Sequence, residues 1–186
     1  MPFKFTKLEI HGPVIIEYQK FYDERGYFFE SCKNSNMLAN GIPVDFVQDN
    51  HSISKKGVVR GLHFQLEPKA QGKLVYVTWG KVFDVALDIR EGSPTYGKWI
   101  SVVLSGNENK MLWIPTGFAH GFMTLEDDTI LSYKVTGSEW SKVHERGVLW
   151  NDESLAIPWP LNDAILSEKD AILPPLKNVE TNFVYM

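Results

Sequence analysis

The sequence holds a single cysteine, Cys32, so no disulfide can form within the chain. That usage fits a reducing compartment. Long apolar runs are missing too: nothing approaches the ~18 consecutive apolar residues that a membrane helix needs. The N-terminal MPFKFTKLEIHG lacks the apolar stretch of a signal peptide. Charge of one sign is not in strong excess, since the formal net charge is -4. A general attraction to nucleic acid or to an anionic membrane is thereby excluded, and any anion site must be built from local cations. Repeats, low-complexity tracts and linkers are absent as well. With 186 residues, 44% hydrophobic and 23% charged, the chain is expected to form one cytoplasmic domain across residues 1–186, with neither nucleic acid nor a membrane as partner.

Helical periodicity is scarce. SNMLANG (35–41) reads as one or two turns ending at Gly41, and SEKDAI (167–172) as a single turn. The prolines of LAIPWPL and AILPPL stop anything longer in the tail. What the chain has instead is short runs rich in Val, Ile, Phe, Tyr and Trp: VIIEY (14–18), GYFFESC (26–32), DFVQDNHSI (45–53), VVRGLHFQ (58–65), LVYVTWG (74–80), KVFDVALDI (81–89), KWISVVLS (98–105), KMLWIP (110–115), GFMTLED (121–127) and TILSYKV (129–135). Gly80-Lys81, Gly106-Asn107 and Asp127-Asp128 supply turn chemistry between them. Many short antiparallel strands at close spacing predict an all-β sandwich or barrel, with the double-sheet jelly roll as the expected architecture. In VFDVALDI, alternation places Val82, Asp84, Ala86 and Asp88 on one face, so Asp84 points to a face that is not simply apolar.

Arg60 and His63 interrupt the apolar run VVRGLHFQ. Buried cations cost several kcal/mol unless paired or used, so a site is expected here: a metal ligand, a base, or a core histidine. Gly57, His63 and Gly80 resemble the first motif of the cupins, and Pro115-Thr-Gly117-Phe-Ala-His120 the second. Metal-binding cupins use His-x-His and a Glu in the first motif and a further His in the second. Here the second His position is Gln65 and the Glu position is Lys73. An ammonium has no lone pair to give, and two imidazoles fall short of the three or four protein ligands of a zinc site. No metal and no cofactor are expected.

Eight stretches, in order, resemble the dTDP-4-dehydrorhamnose 3,5-epimerase family: FYDERGYFFE (21–30), FVQDNHSIS (46–54), GVVRGLHFQ (57–65), QGKLVYVTWGKVFDVALDIR (71–90), WIPTGFAHGF (113–122), YKVT (133–136), ERGVLWND (145–152) and LSEKD (166–170). The resemblance implies a cofactor-free homodimer of jelly-roll subunits. It implies inversion of C3 and C5 of dTDP-4-dehydro-6-deoxy-D-glucose, giving dTDP-4-dehydro-L-rhamnose. Both carbons lie alpha to the C4 ketone, so each proton can leave as an enolate forms. By the family pattern His63 is the base, as suits an imidazole with its ordinary pKa of about 6.5. Asp170 is its partner, Lys73 stabilises the enolate oxygen, and Tyr133 returns a proton from the other face. The competing readings are a strand-edge Lys73, a strand Tyr133, a surface Asp170 and a core His120.

The same resemblance implies substrate contacts from Phe21, Arg25, Glu30, Gln48, Asn50, Arg60, His120, Glu145 and Lys169. Guanidinium matches phosphate oxygens, so Arg25 and Arg60 would meet the diphosphate, with Lys169 as a third cation. Phe21 and Tyr22 would stack on the thymine. Asp84 would orient His120 or His63. His51 and His144 receive no role, and His11 is expected to be exposed. GSEWSKV (137–143) departs from the Tyr-x-Pro stretch common in the family. The alternatives are a single-centre epimerase, a ketoisomerase of deoxysugar nucleotides, and a non-enzymatic nucleotide-binding cupin that would need neither Lys73 nor the His63–Asp170 pair.

Overall fold

A computed structural model describes residues 3–185; Met1, Pro2 and Met186, at the ends of the expected domain, lie outside the described residues. In chain order the elements are β1 (Phe3–Lys7), β2 (Val14–Tyr18), β3 (Phe21–Asp23), β4 (Gly26–Phe28), α1 (Asn34–Ala39), β5 (Phe46–Ser54), β6 (Val59–Gln65), β7 (Gln71–Trp79), β8 (Lys81–Asp88), β9 (Trp99–Ser105), β10 (Lys110–Ile114), β11 (Phe118–Thr124), β12 (Thr129–Gly137), β13 (Glu145–Gly147) and α2 (Glu168–Ala171). A six-stranded sheet runs β1-β2-β10-β7-β12-β5 and a five-stranded sheet runs β13-β6-β11-β8-β9. All pairings between these strands are antiparallel. The two sheets face each other as the expected double-sheet jelly roll.

The central strands of both sheets are covered on both faces, which is why they read as nearly continuous apolar runs, while β5 at one edge alternates between half-buried and exposed positions. Along β8, Val82 and Ala86 enter the core between the sheets, while Val85 and Leu87 enter a second core under the C-terminal Leu155, Leu176 and Phe183. Along β10, Leu112 and Ile114 face inward, while Met111 and Trp113 pack with Met37 of α1 on the outside of the larger sheet. The inner core thus has side chains from both sheets, and its apolar filling gives way to polar groups at one end.

One irregularity decides what that end contains. Strict alternation would put Arg60 and His63, three residues apart, on opposite faces. In β6, however, His63 pairs with His120 and Arg60 with Phe122, so two residues of β6 lie opposite the single Gly121 of β11. This bulge adds a residue and brings Arg60 and His63 to the same face. Gly61 makes it possible. Its φ is +121°, and a Cβ there would lie 2.5 Å from Gly121 Cα and 2.7 Å from the His120 carbonyl oxygen. Both obstacles are backbone and cannot rotate away. Gly61→Ala is therefore expected to destabilise the fold by at least ~1–3 kcal/mol, a fall of roughly 2–4 °C in Tm per kcal/mol for a chain of this size. Differential scanning calorimetry checks this; an unchanged Tm would mean the bulge can relax.

The β3–β4 hairpin, which the sequence reading treated only as a single strand over 26–32, projects from the body. Phe21, Tyr22, Tyr27 and Phe28 are all exposed on it. Lys20 holds its base, donating to the Gly106 carbonyl (2.8 Å) and lying 4.4 Å from the Tyr27 ring centroid. FKFTKLEI supplies β1, which pairs with β2 of its own chain and forms the edge of the larger sheet.

Candidate active site

A cleft of about 720 Å³ opens at the polar end of the inter-sheet core. Its walls come from β5, β6, β7, β11 and β12 and from the segment ending in α2. His63, Lys73, His120, Tyr133 and Asp170 all line it. The sheet geometry explains the convergence. Lys73 continues the inward-facing row of Val75 and Val77 on β7, and Tyr133 continues that of Leu131 on β12. His120 lies between Phe118 and Phe122 on the inward face of β11. The expectation that strand would begin only at Gly121 was short by three residues. Gly117, at φ +84°, makes the turn alone, and Phe118 is already strand.

His63 Nε2 lies 2.6 Å from Asp170 Oδ1. Asp170 is 107 residues away in sequence yet nearly fully buried, so it is not a surface carboxylate. Two anchors deliver it. Ile165 bridges β6, its N–H donating to Gly57 O (2.8 Å) and its carbonyl accepting from Val59 N (2.9 Å). Ser167 then caps α2, its Oγ accepting from Asp170 N (3.1 Å). The signal was in SEKD, a Ser-x-x-Asp capping pattern, but here the acidic residue turns to His63 instead of back to the cap. Burial pushes the Asp170 carboxyl up, yet the hydrogen bond and charge of His63 outweigh it and the net pKa is lowered. An ionised Asp170 can only accept. Nε2 therefore carries the shared hydrogen, and Nδ1 keeps its lone pair. Nδ1 has no partner among the described residues, and the His63 side chain is 24% exposed.

Lys73 is buried, and among the described residues its one side-chain hydrogen bond is a long one, Nζ to His63 O at 3.4 Å. It is not a strand-edge lysine. Burial lowers its pKa to about 8, opposed by the charges of Asp84 and Glu145. It is still an ammonium at neutral pH, with donors to spare. Its Nζ stands 5.8 Å from the Tyr133 ring centroid. Tyr133 comes from the opposite sheet to His63, so the two groups face the cleft from its two walls. Burial raises the Tyr133 pKa, assisted by Glu145 and opposed by Arg60, and the phenol stays protonated.

His120 Nε2 lies 3.0 and 3.1 Å from the two oxygens of Asp84. Of the two partners left open for Asp84, the structure selects His120. Arg60 is exposed at the rim, bound by Nε to Ser54 Oγ (3.2 Å), with its terminal nitrogens unengaged among the described residues. Lys169 instead pairs with Glu145 at 2.8 Å, so its charge is already shared. Asn50 lines the cleft and accepts from Gln48 Nε2 (2.9 Å). Gln48 Oε1 accepts from Trp140 N (2.8 Å), and Gln65 Oε1 accepts from Ser141 N. Gln65 Nε2 also donates to Glu139 O (3.3 Å) and Gln71 Nε2 to Ser138 O (2.8 Å), so the divergent 137–143 stretch is pinned by three glutamines, with Trp140 exposed beside Gln48. Gln65, the residue at a metal-ligand position of other cupins, is spent on holding this loop. Among the described residues no three His, Cys, Asp or Glu side chains gather as a metal cluster.

Five of the nine expected contacts do not line the cleft within one chain. Gln48 and Glu145 stand behind the lining, bonded to Asn50 and Lys169. Phe21, Arg25 and Glu30 belong to the β3–β4 hairpin and its exit. The hairpin follows β2, whose Glu17 pairs with Lys110 at one end of β10, whereas Lys73 pairs with Ile114 at the other. Among the described residues Arg25 pairs only with the nearby Asp23, at 2.6 Å. His51, given no role from sequence, donates to or accepts from Ser132 Oγ at 2.8 Å on the outward face of the sheet. His11 is exposed, as expected. No helix among the described residues is long and apolar enough to cross a membrane.

Comparison with known proteins agrees with this geometry. The sequence profile described as dTDP-4-dehydrorhamnose 3,5-epimerase matches residues 7–178. The chain is 54% identical over 165 residues to dTDP-4-dehydrorhamnose 3,5-epimerase of Shigella flexneri, covering 88% of this chain and 91% of that one. Its fold is similar to the crystal structure of dTDP-4-dehydrorhamnose 3,5-epimerase from Sulfolobus tokodaii, with a TM-score of 0.91, 44% identity, and 97% and 99% of the two chains covered. It is equally similar (TM-score 0.91, 44% identity, coverage 96% and 95%) to dTDP-6-deoxy-D-glucose-3,5-epimerase from Legionella pneumophila, solved in complex with dTDP-4-keto-L-rhamnose. A profile match over most of the chain, and a relative 54% identical over 88% of it, show that this chain belongs to the dTDP-4-dehydrorhamnose 3,5-epimerase family.

Proposed function

We propose that the protein is the isomerase that inverts C3 and C5 of dTDP-4-dehydro-6-deoxy-D-glucose, and that His63, Asp170, Lys73 and Tyr133 carry the chemistry. The observation that supports these roles best is the cleft's division of labour. An imidazole with a free Nδ1 stands on one wall, a phenol on the other, and an under-bonded ammonium between them. With the C4 ketone oxygen at Lys73, His63 Nδ1 removes the proton from C3 or C5. Charge passes to the C4 oxygen, where the Lys73 ammonium meets it in a site largely closed to water. Asp170 stabilises the imidazolium that forms. Tyr133 delivers a proton to the opposite face of the same carbon, inverting it. Both target carbons flank C4, so one base serves both. No step calls for a metal or an organic cofactor.

Arg60, held at the Ser54 end of β5, is suited to the nucleotide diphosphate at the rim, and farther along the same strand Asn50 and Gln48, with Trp140 beside Gln48, offer polar and aromatic surface. The hairpin residues Phe21, Arg25 and Glu30 reach a cleft only if a second copy supplies them. We infer a homodimer in which each hairpin completes its partner's site. Arg25→Ala is then expected to raise KM ~10–100-fold through loss of a charge-assisted phosphate contact. Heterodimers of one Arg25→Ala subunit and one His63→Ala subunit would regain about half the wild-type kcat/KM, because one of the two clefts is whole. No recovery in such heterodimers would place Arg25 in its own chain's site, and a wild-type KM in the Arg25→Ala homodimer would place it in none.

The deciding experiment for the activity is proton NMR of the nucleotide sugar in D₂O with chelator-treated protein. Deuterium at both C3 and C5, with the L-rhamno product trapped by a reductase, supports the double epimerase. Exchange at one carbon makes it a single-centre relative. No exchange with nucleotide still bound removes the catalytic reading.

A further inference from the structure

His63 and His120 are cross-strand neighbours, and each has its own carboxylate. The role of the second carboxylate is not obvious. Asp84 is fully buried, and both of its oxygens address one atom, His120 Nε2. No other hydrogen bond reaches it among the described residues. Asp88, two positions along the same face of β8, shows the contrast: it too is fully buried, but it accepts from Arg90 Nε and Nη2, Ser93 Oγ and Thr95 Oγ1, all within 2.8 Å. Asp88 is a carboxylate satisfied by a local turn. Asp84 sits between Val82 and Ala86 of the apolar inner core with a single donor. A buried charge so sparsely paired is costly unless other charges answer it.

The answering charge is Lys73 in the neighbouring cleft. Lys73 shares that cleft with His63 of β6, His120 of β11, Tyr133 of β12, and Lys169 and Asp170 of α2, and it feels the charges of Asp84 from β8 and Glu145 from β13. Asp84 follows the inward row of β8, as Lys73 follows that of β7, so both enter the space between the sheets. Burial draws the Lys73 pKa down; Asp84 is the largest of the charges holding it up, Glu145 the next, and Lys169 adds to the fall. Among the described residues no carboxylate is hydrogen-bonded to the Lys73 ammonium, so its support is through space.

Resting on the reading of the cleft given above, we propose that Asp84 is a positioning residue for the epimerisation. It acts in two ways: it fixes His120 with Nε2–H turned into the core and Nδ1 left for the substrate, and its charge keeps Lys73 an ammonium beside the ketone oxygen.

The test is Asp84→Asn, which keeps the shape and an acceptor for His120 but removes the charge. Activity that needs the ammonium is present below the Lys73 pKa and lost above it, and removing a nearby anion lowers that pKa. The alkaline limb of kcat is therefore expected to move to lower pH by ~1 unit or more, costing ~10-fold at a pH on the limb and little a unit or two below it. KM changes much less than kcat. A loss uniform across pH, or an unchanged profile, overturns the electrostatic role. Two readings on ligand-free protein do not depend on activity. Carbon-13 NMR of the Lys73 Cε should titrate at lower pH in the variant, and nitrogen-15 NMR of wild-type His120 should report the Nε2–H tautomer. An unmoved Lys73 midpoint or an Nδ1–H tautomer would each remove its half of the proposal; the tautomer is read on the wild type, and should Asp84→Asn fold poorly the Lys73 midpoint is read in Asp84→Ser instead. Absence of any epimerase activity in the wild type, with both NMR results as expected, would instead remove the catalytic reading and leave Asp84's control of its two neighbours standing.

Discussion

His63→Ala is expected to abolish deuterium entry at C3 and C5 together, with kcat falling by ~10²–10⁴. The effect is joint because, of the two carboxylate-backed imidazoles lining the cleft, His63 is the one open to a substrate carbon, its side chain 24% exposed. His120 is only 5% exposed, and its carboxylate lies in the core. The loss should be chemical, not structural: His63 is partly exposed, so truncation opens the cleft wall and not the core. Nucleotide binding, read by calorimetry with dTDP, should stay within a few-fold of wild type, since Arg60 and Asn50 are untouched. Normal exchange at either carbon in His63→Ala would show a second base and dismantle the single-base scheme.

The reason His63 could be singled out from sequence, while its setting could not, lies in which interactions are local. β2 was legible to the residue, because VIIEY alternates over a sheet covered on both faces. So was the inward row of β8, including the unusual Asp84. The bulge in β6 was not. Alternation alone sends Arg60 and His63 to opposite faces, and only the close approach of Gly61 to Gly121 on the neighbouring strand reverses that. A bulge is a property of a strand pair, and a single strand carries no period for it. The hairpin β3–β4 was missed for a related reason. Its strands are three residues long and exposed on both faces, so no apolar alternation marks them. Asp170 needed both kinds of information: the Ser-x-x-Asp cap is local, but its burial against His63 spans most of the chain. Strand spacing reached a sandwich or barrel and favoured the double-sheet jelly roll. The roles of the site residues came from the eight family motifs, and the same motifs that named Arg25 and Phe21 as contacts were silent on which chain's cleft they serve.

Tyr133→Phe separates the two halves of the reaction. Proton removal depends on His63 and on the Lys73 cation, and neither needs the phenol oxygen. Exchange with solvent should therefore persist in the variant near the wild-type rate. Inversion should not. An enolate formed in the cleft has two faces: His63 lies on one wall and Tyr133 on the other, from the opposite sheet. Without the hydroxyl the only acid in place is the imidazolium just formed, and it returns hydrogen or deuterium to the face it came from. The starting configuration is restored with isotope in it. Epimerisation at C5 is expected to fall by ~10²–10⁴ while exchange continues. The wild-type phenol is fit for this because burial raises its pKa, keeping the proton on oxygen throughout the neutral range, and an enolate is basic enough to take it. The same substitution removes no charge and fills the same volume, so KM and Tm should hardly move. Inversion at C5 at the normal rate in Tyr133→Phe would assign the acid to another group, and equal loss of exchange and inversion would mean the ring positions the substrate rather than protonating it.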